Sequence, residues 1–235
     1  MKTKILLPFL LLVVLSFGCN RTYTGTGPVV DEIREVGEFN RIVLNMGALV
    51  VVKDSLVHSC VVKAQGNIQE AIITRMDGNT LVITTKGQLI TNEEVVIEIS
   101  MNKEMAFEVN GSGKIVSVNT FKNDELDFEI NGSGVIEADV VANKITSNIS
   151  GSGILDLSGS ANSFNMQISG SGTVNSFNLV TLDAKASISG SGEADVNAGK
   201  SLYAKVSGSG AVRYLGNPEI SKDISGSGTV EKHVQ

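Results

Sequence analysis

The chain has 235 residues, with 19 Lys and Arg against 25 Asp and Glu and a formal net charge of −6. This acidic balance, without a basic run or a cluster of aromatic and basic residues, argues against nucleic acid and anionic lipid headgroups as partners. Two cysteines cannot build a disulfide framework, so a hydrophobic core has to hold the fold.

The N-terminus, residues 1–18, has the pattern of a lipoprotein-type signal peptide. Lys2 and Lys4 precede the apolar stretch Leu6 to Phe17, which is too short to span a bilayer. A small residue then precedes Cys19, so we expect cleavage before Cys19 and lipidation of that cysteine. Removing the two leader lysines leaves 17 basic against 25 acidic residues, a charge of −8. The lipid would hold the protein in the membrane of the cell envelope, most simply the outer membrane; an ordinary secreted protein is the alternative.

The rest of the chain divides by composition. Residues 19–30 are polar and rich in Thr and Gly, which predicts a tether between the lipid and a folded domain. We predict one domain over 31–235, in which 31–104 is a non-motif β part with longer strands and 105–230 holds the repeats. The non-motif part is either wider coils of the same stack or a cap over its end. Cys60 lies in an apolar, strand-like run of this part and is predicted to be a buried structural thiol.

Seven copies of Gly-Ser-Gly recur in the second half, with steps of 21, 19, 19, 20, 18 and 18 residues. A fixed period near 20 indicates a stacked, repeating fold. Aligning the repeats on the motif produces apolar columns, and the column just before the motif's Asn or Ser contains Val109, Ile130, Ile149, Ile168, Ile188, Val206 and Ile224. No repeat can bury its apolar face alone. We therefore predict an all-β fold, a right-handed parallel β-helix or solenoid-like stack with Gly-Ser-Gly corners.

The glycines of the motif are predicted to be structural turns, because each coil must bend sharply at the same place and leave room for the next coil. They are Gly111, Gly113, Gly132, Gly134, Gly151, Gly153, Gly170, Gly172, Gly190, Gly192, Gly208, Gly210, Gly226 and Gly228. Ion or phosphate binding is the functional alternative. The positions where a calcium-binding β-roll needs Asp hold Ile, Leu, Val or Ala, and no helix start with Lys and Ser or Thr follows. We therefore expect no metal and no cofactor.

The best enzymatic hint is a repeated Glu-Ala-Asp, at Glu137-Ala138-Asp139 and Glu193-Ala194-Asp195. With Ala inward, the two carboxylates of one copy would point outward about 7 Å apart, a spacing that suits an inverting glycosidase. The copies lie three coils apart, so they do not form one site. The two histidines, His58 and His233, are predicted to be solvated and cannot form a triad or a metal cluster. We therefore expect no catalytic residues.

The seven repeats of Ile or Val, Ser or Asn, then Gly-Ser-Gly, the preceding Phe39-Asn40-Arg41-Ile42 and the lipoprotein leader together resemble the head GIN domain family. Its members are described as putative auto-transporter adhesins. The resemblance covers about Val30 to Val230. It implies a secreted or lipid-anchored β-helical domain of the kind common in Bacteroidetes envelopes, and it supplies no established catalytic or ligand residues to carry over.

Three functional hypotheses follow. The first is a non-enzymatic envelope lipoprotein, adhesin-like, whose elongated β-surface contacts a protein or glycan partner. The second is a structural protein that self-associates through the open β-edge of its C-terminal coil. The third and most remote is a carbohydrate-active β-helix enzyme that uses Glu137 and Glu193.

Overall fold

A computed structural model describes residues 21–102 and 105–234. The strands before the repeats are β1 Thr22–Thr24, β2 Val29–Arg34, β3 Arg41–Leu44, β4 Leu49–Asp54, β5 Ser59–Gln65, β6 Ile72–Asp77, β7 Thr80–Thr85, β8 Gln88–Ile90 and β9 Val96–Met101, with one 3-10 helix at Gly66–Ala71. The strands of the repeats are β10 Met105–Gly111, β11 Lys114–Ser117, β12 Phe121–Gly132, β13 Val135–Gly151, β14 Ile154–Gly170, β15 Thr173–Gly190, β16 Glu193–Gly208, β17 Ala211–Leu215, β18 Glu219–Gly226 and β19 Thr229–Lys232. No helix within the described residues is long and apolar enough to cross a membrane.

The repeats form a parallel stack of coils, as predicted, because equivalent residues of successive repeats pair with one another. The first glycine of each motif pairs with the first glycine of the next, from Gly111 through to Gly226. The predicted column from Val109 to Val206 is buried, and only its last member, Ile224, is more than a third exposed. In-register pairing turns each apolar column into a continuous ladder inside the stack.

The Gly-Ser-Gly segments lie at the corners of the stack. Gly170 has a φ of +120°, and a Cβ added there would lie 2.6 Å from the carbonyl oxygen of Gly151, one coil earlier. The amide of Ser171 donates a hydrogen bond of 2.8 Å to that same carbonyl. A Cβ on Gly172 would lie 2.5 Å from a methyl group of the buried Ile149. The first glycine therefore provides the backbone angle of the turn, and both glycines provide the close approach of two coils.

The non-motif part contributes coils to the same stack. β3 pairs in parallel with β10, with Leu44 beside Val109, and β4 pairs in parallel with β11. On their other side, β3 pairs with β7, where Leu44 lies beside Ile83, and β4 pairs with β9. The coil of β3 and β4 thus lies between the first motif coil and a coil made of β7 and β9.

Antiparallel strands cover this end of the stack. β6 pairs with β7, and β5 pairs with both β9 and β2. The expectation of longer strands here is wrong: these strands have 3 to 7 residues, whereas β12 to β16 have 12 to 18. The chain of this end folds back through hairpins such as the one at Gly78 and Asn79, and each reversal ends a strand. A strand of the repeats such as β13 instead continues around a bend without interruption, because its residues pair with β12 on one side and β14 on the other.

Part of the predicted tether is in fact structured. β1 pairs in parallel with β8, and β2 begins at Val29 beside Gln65. Between them, the side chain of Gln65 donates to the carbonyl of Gly27 at 3.0 Å. The alternating Thr-Tyr-Thr of β1 suits a strand, and a partner edge is available, so the polar composition alone was misleading. Residue 19 and the leader lie outside the described residues.

One continuous hydrophobic core runs from Phe39 to Val212. In one of its columns Phe107 and Phe128 stack with ring centroids 5.8 Å apart. The next residue in that column is Ser147, which is 1% exposed and whose hydroxyl has no hydrogen-bond partner among the described residues. A buried hydroxyl without a partner costs free energy, because water would otherwise bond to it.

Replacing Ser147 by alanine is therefore expected to stabilise the fold, by about 1 kcal/mol in the free energy of unfolding. Urea unfolding of the chain without its leader, followed by circular dichroism, measures the effect. Ser150→Ala changes an exposed serine of the same strand and should leave the midpoint unchanged. A loss of stability in Ser147→Ala would mean that the hydroxyl has a favourable contact.

Candidate functional site

A regular surface, open to solvent, lies on the strand segments that lead into the motif. Their outward side chains form three ladders, which we call the polar face. Its members are Asp127, Thr146, Asn165, Lys185 and Tyr203; Glu129, Asn148, Gln167, Ser187 and Lys205; and Asn131, Ser150, Ser169, Ser189 and Ser207.

The polar face follows directly from the alternation of the repeats. Successive side chains of a strand point to opposite sides, so each buried column is flanked by an exposed one. Parallel pairing then places equivalent residues side by side on neighbouring coils, as with Asn165 and Lys185. At one end the amides link into a chain: Asn131 donates to Asn110 at 3.0 Å, and Asn110 donates to Asn45 at 2.7 Å. Asn45 belongs to the coil of β3 and β4, so the ladder continues into a coil without the motif.

One end of the polar face carries acidic groups that are already paired. Arg41 contacts Glu108, and its distance to Glu129 is 3.2 Å. Burial raises the pKa of Glu108, but hydrogen bonds from Arg41 and Asn110 and the charge of Arg41 outweigh it, so the pKa lies below its ordinary value. Glu108 is therefore ionised and internally neutralised.

The opposite end carries lysines and an aromatic ring. The ammonium group of Lys185 lies 5.7 Å from the centroid of the Tyr203 ring, which stands beside it on the next coil. Lys205 lies 3.7 Å from Asp223, and both side chains are more than half exposed. Two shallow concavities of about 230 Å³ each lie here and share Gln167 and Ser187. This end offers cationic and neutral polar groups to solvent.

A wider groove of about 740 Å³ lies at another corner of the stack. A second amide ladder runs along it, in which Asn162 donates to Asn143 at 2.9 Å and Asn143 donates to Asp124 at 2.7 Å. Val180 and Leu182 are more than half exposed on the same groove. The groove combines amide and apolar groups, without the dense polar grid of the polar face.

The two Glu-Ala-Asp copies are not equivalent in the structure. Both alanines are buried, as expected, but Glu137 lies in the ladder of Asp156, Asn175 and Asp195, and Glu193 lies in a different ladder. The offset can be read from the sequence, because Glu137 is the third residue after its motif and Glu193 is the first.

These carboxylates are also engaged with neighbouring side chains. Glu137 lies 2.6 Å from Lys114. Arg213 donates to both oxygens of Asp195, at 2.7 and 3.0 Å, and lies 3.5 Å from Glu193. The hydrogen bond and charge of Asp195 raise the pKa of Arg213. This arrangement is a set of ion pairs between coils.

Cys60 and the two histidines have structural roles. Cys60 is fully buried, as predicted, and burial raises the pKa of its thiol to about 11. His58 is half-buried rather than solvated: its Nε2 lies 2.8 Å from Asn102, and its ring packs edge-on to Phe39. His233 is half-buried, with its ring 4.7 Å from that of Phe177. Within the described ranges no three His, Cys, Asp or Glu residues are placed to hold a metal ion. Cys19 lies outside those ranges.

Comparisons with known proteins match this architecture. The family model described as "Putative auto-transporter adhesin, head GIN domain" matches residues 38–218. Among solved structures, a putative adhesin from Bacteroides fragilis superposes with a TM-score of 0.84 at 24% identity, covering 90% of this chain and all of the other. A putative lipid binding protein from Parabacteroides distasonis has a TM-score of 0.79 at 23% identity, and a putative adhesin from that organism 0.76 at 21%; each covers 91% of this chain and all of the other. Among curated proteins nothing matches. The structures share the fold.

Proposed function

Because the chain belongs to the head GIN domain family of putative auto-transporter adhesins, we propose that it is a non-enzymatic, adhesin-like binding module of the cell envelope. The polar face is its binding surface. One observation carries the proposal: fifteen outward polar side chains of β12 to β16 are held in register by parallel pairing.

A regular grid suits an extended partner. Neighbouring coils repeat about every 4.8 Å and alternate outward residues about every 6.6 Å, so equivalent groups recur over a long, rigid area. The rigidity matters because the face loses little conformational freedom on binding. An extended glycan or an extended protein segment can contact several coils at once.

A catalytic role has less support. The carboxylates of the two Glu-Ala-Asp copies form hydrogen bonds or ion pairs with residues of neighbouring coils. They are Glu137, Asp139, Glu193 and Asp195. An acid or base of a glycosidase has to face the substrate. One protein of similar fold is described as lipid-binding, but the polar face offers little apolar surface to a lipid.

We further propose that the module is anchored to the envelope through lipid on Cys19. The leader pattern supports this, and an envelope anchor would place the polar face within reach of external polymers. Cys19→Ser is expected to release the protein from the membrane fraction and to abolish incorporation of labelled fatty acid. Membrane attachment that persists in Cys19→Ser would contradict the lipid anchor and leave the binding proposal standing.

Pull-downs test the binding proposal. The chain without its leader is immobilised and offered envelope glycans and envelope proteins at physiological salt. Replacing both Asn148 and Gln167 by glutamate should abolish capture, because two charges are added to the centre of the polar face. The same change at the exposed Asn175 and Asn178, which lie off the polar face, is the matched control. Capture that is equal for both variants, or absent for the unaltered chain, would contradict the proposal.

A further inference from the structure

Nine residues on three successive coils form a distinct part of the polar face, which we call the lysine grid. They are Asn165, Gln167 and Ser169 on β14; Lys185, Ser187 and Ser189 on β15; and Tyr203, Lys205 and Ser207 on β16. Lys185 and Lys205 are the two charged residues among them. Resting on the proposed function, we propose that the lysine grid binds a glycan that carries carboxylate groups, such as one containing uronic acids.

Charge is the first reason. The protein as a whole is acidic, with a net charge of −6, yet this patch is cationic. Among the described residues Lys185 has no carboxylate within ion-pair distance, and the contact of Lys205 with Asp223 is long and exposed. An exposed ion pair of this kind contributes little, so a ligand carboxylate can replace Asp223. Asp183, two residues before Lys185, is already hydrogen-bonded by Ser201 at 2.6 Å.

Spacing is the second reason. Lys185 and Lys205 lie on neighbouring coils and in neighbouring ladders, so their Cα atoms are about 8 Å apart by strand geometry. Ser187 is next to both lysines: it follows Lys185 by two residues on β15 and lies beside Lys205 on the next coil. Gln167 lies beside Ser187 on the preceding coil. Each ammonium can therefore meet a carboxylate while serine hydroxyls and amide groups donate to, and accept from, sugar hydroxyls.

The aromatic ring is the third reason. The polar face has one tyrosine, Tyr203, and its ring lies beside Lys185. Its 36% exposure leaves part of the ring open to a ligand. An aromatic ring can cover the apolar face of a sugar while its hydroxyl stays in water. The combination of ring, ammonium and hydroxyl groups matches an acidic sugar better than a peptide.

The rest of the polar face limits the charge density of the ligand. Asp127 lies three coils from Lys185 in the same ladder, Glu129 lies four coils from Lys205 in the same ladder, and Glu108 lies one coil beyond Glu129. Arg41 offsets one of these three negative charges, so this end still carries a net negative charge and would repel a polymer with a charge on every unit, such as a nucleic acid. A glycan with neutral units along Thr146 and Asn148 and acidic units at the lysines avoids that repulsion.

Three acidic oligosaccharides test the inference: oligogalacturonate, a hyaluronan fragment and an alginate fragment, each beside its carboxyl-reduced, neutral counterpart. The chain without its leader is titrated with each by calorimetry. At least one acidic oligosaccharide should bind at least tenfold more tightly than its neutral form, and the difference should shrink at high salt. Lys185→Gln with Lys205→Gln should remove this preference, whereas Lys122→Gln with Lys144→Gln, two exposed lysines off the polar face, should keep it.

The outcomes separate the two proposals. Equal binding of acidic and neutral forms, or a preference that survives in the Lys185 and Lys205 variant, would overturn the inference and leave glycan binding in place. Binding of none of the three acidic oligosaccharides would also overturn it. If envelope proteins are then captured through the polar face, the proposed function survives with a protein partner. If nothing is captured, both fail. Tyr203→Ser should weaken acidic and neutral forms alike, which distinguishes stacking from charge.

Discussion

Replacing Gly170 by alanine is expected to lower the free energy of unfolding by about 4 kcal/mol, near the top of the range for single substitutions. Two costs add. Alanine at a φ of +120° is strained, and its Cβ would lie 2.6 Å from the carbonyl oxygen of Gly151. Neither backbone can move without disturbing the coils on both sides. Urea or thermal unfolding of the two proteins measures the difference.

Gly111→Ala is the matched control, because it separates strain from contact. Gly111 also has a positive φ, of 108°, but a Cβ there has no atom within 4 Å. Gly111→Ala should therefore lower the free energy of unfolding only by the cost of backbone strain, about 1 to 2 kcal/mol. Ser171→Ala, at an exposed serine whose amide makes the corner hydrogen bond, should change stability by less than about 0.5 kcal/mol. Equal losses for Gly170→Ala and Gly111→Ala would mean that the close approach of coils has no energetic weight.

Replacing Lys222 by valine is expected to make the protein self-associate, with at least a tenfold fall in the dimer dissociation constant. Lys222 occupies a core column, directly beside the fully buried Ala204, but it lies on the last coil of the described residues and is exposed. Its neighbours Ile220 and Ile224 are also partly exposed, at 39% and 38%. A charged residue at a core position of an edge strand is a known way to prevent pairing between molecules.

The strand register explains why the lysine is effective. In a two-fold antiparallel pair of β18 strands, residues that share a face lie opposite one another. Centring the pair on Lys222 opposes two ammonium groups. Shifting the pair by two residues in one direction places Lys222 opposite Ile220 and Glu219 opposite Asp223. Shifting it in the other direction places Lys222 opposite Ile224 and Asp223 opposite its own copy. Each such register is unfavourable.

Sedimentation velocity of the chain without its leader measures the association. The unaltered protein should be monomeric, and Lys222→Val should form dimers or larger species. Lys200→Val removes an exposed lysine from another position and should stay monomeric. If the unaltered protein already associates and Val230→Lys abolishes this, the self-assembling alternative would be supported instead. A monomeric Lys222→Val would show that Lys222 does not protect the edge.

The repeating part of the fold is well predicted by the sequence, because seven aligned copies show the same pattern. Columns such as Val109 to Val206 and the corner glycines are visible in the amino-acid sequence alone. The coil of β3 and β4 is not, because its corner, Asn45-Met46-Gly47, lacks the motif. Its position depends on pairing with strands about 65 residues away, and no local pattern reports such pairing.

The candidate site was only partly predictable. The outward positions were expected to matter, and the same alignment that produced the buried columns also places Lys185 beside Tyr203. What the alignment could not supply was the pairing of charges, such as Arg41 with Glu108 or Arg213 with Asp195. The first of these pairs neutralises one end of the polar face, and the second lies off that face and occupies a carboxylate of the Glu-Ala-Asp repeat.

The position of the β3 and β4 coil also determines how the molecule can change its length. The chain first forms that coil, then β7 and β9 on one side of it, and only afterwards begins the repeats with β10 and β11 on its other side. The N-terminal end is therefore closed: a coil inserted there would have to separate strands that are already paired. At the C-terminal end each coil contacts only its neighbours, so duplication or loss of one unit of about 20 residues leaves the others undisturbed. Evolution and protein engineering can thus alter the reach of the surface in whole coils, from one end alone.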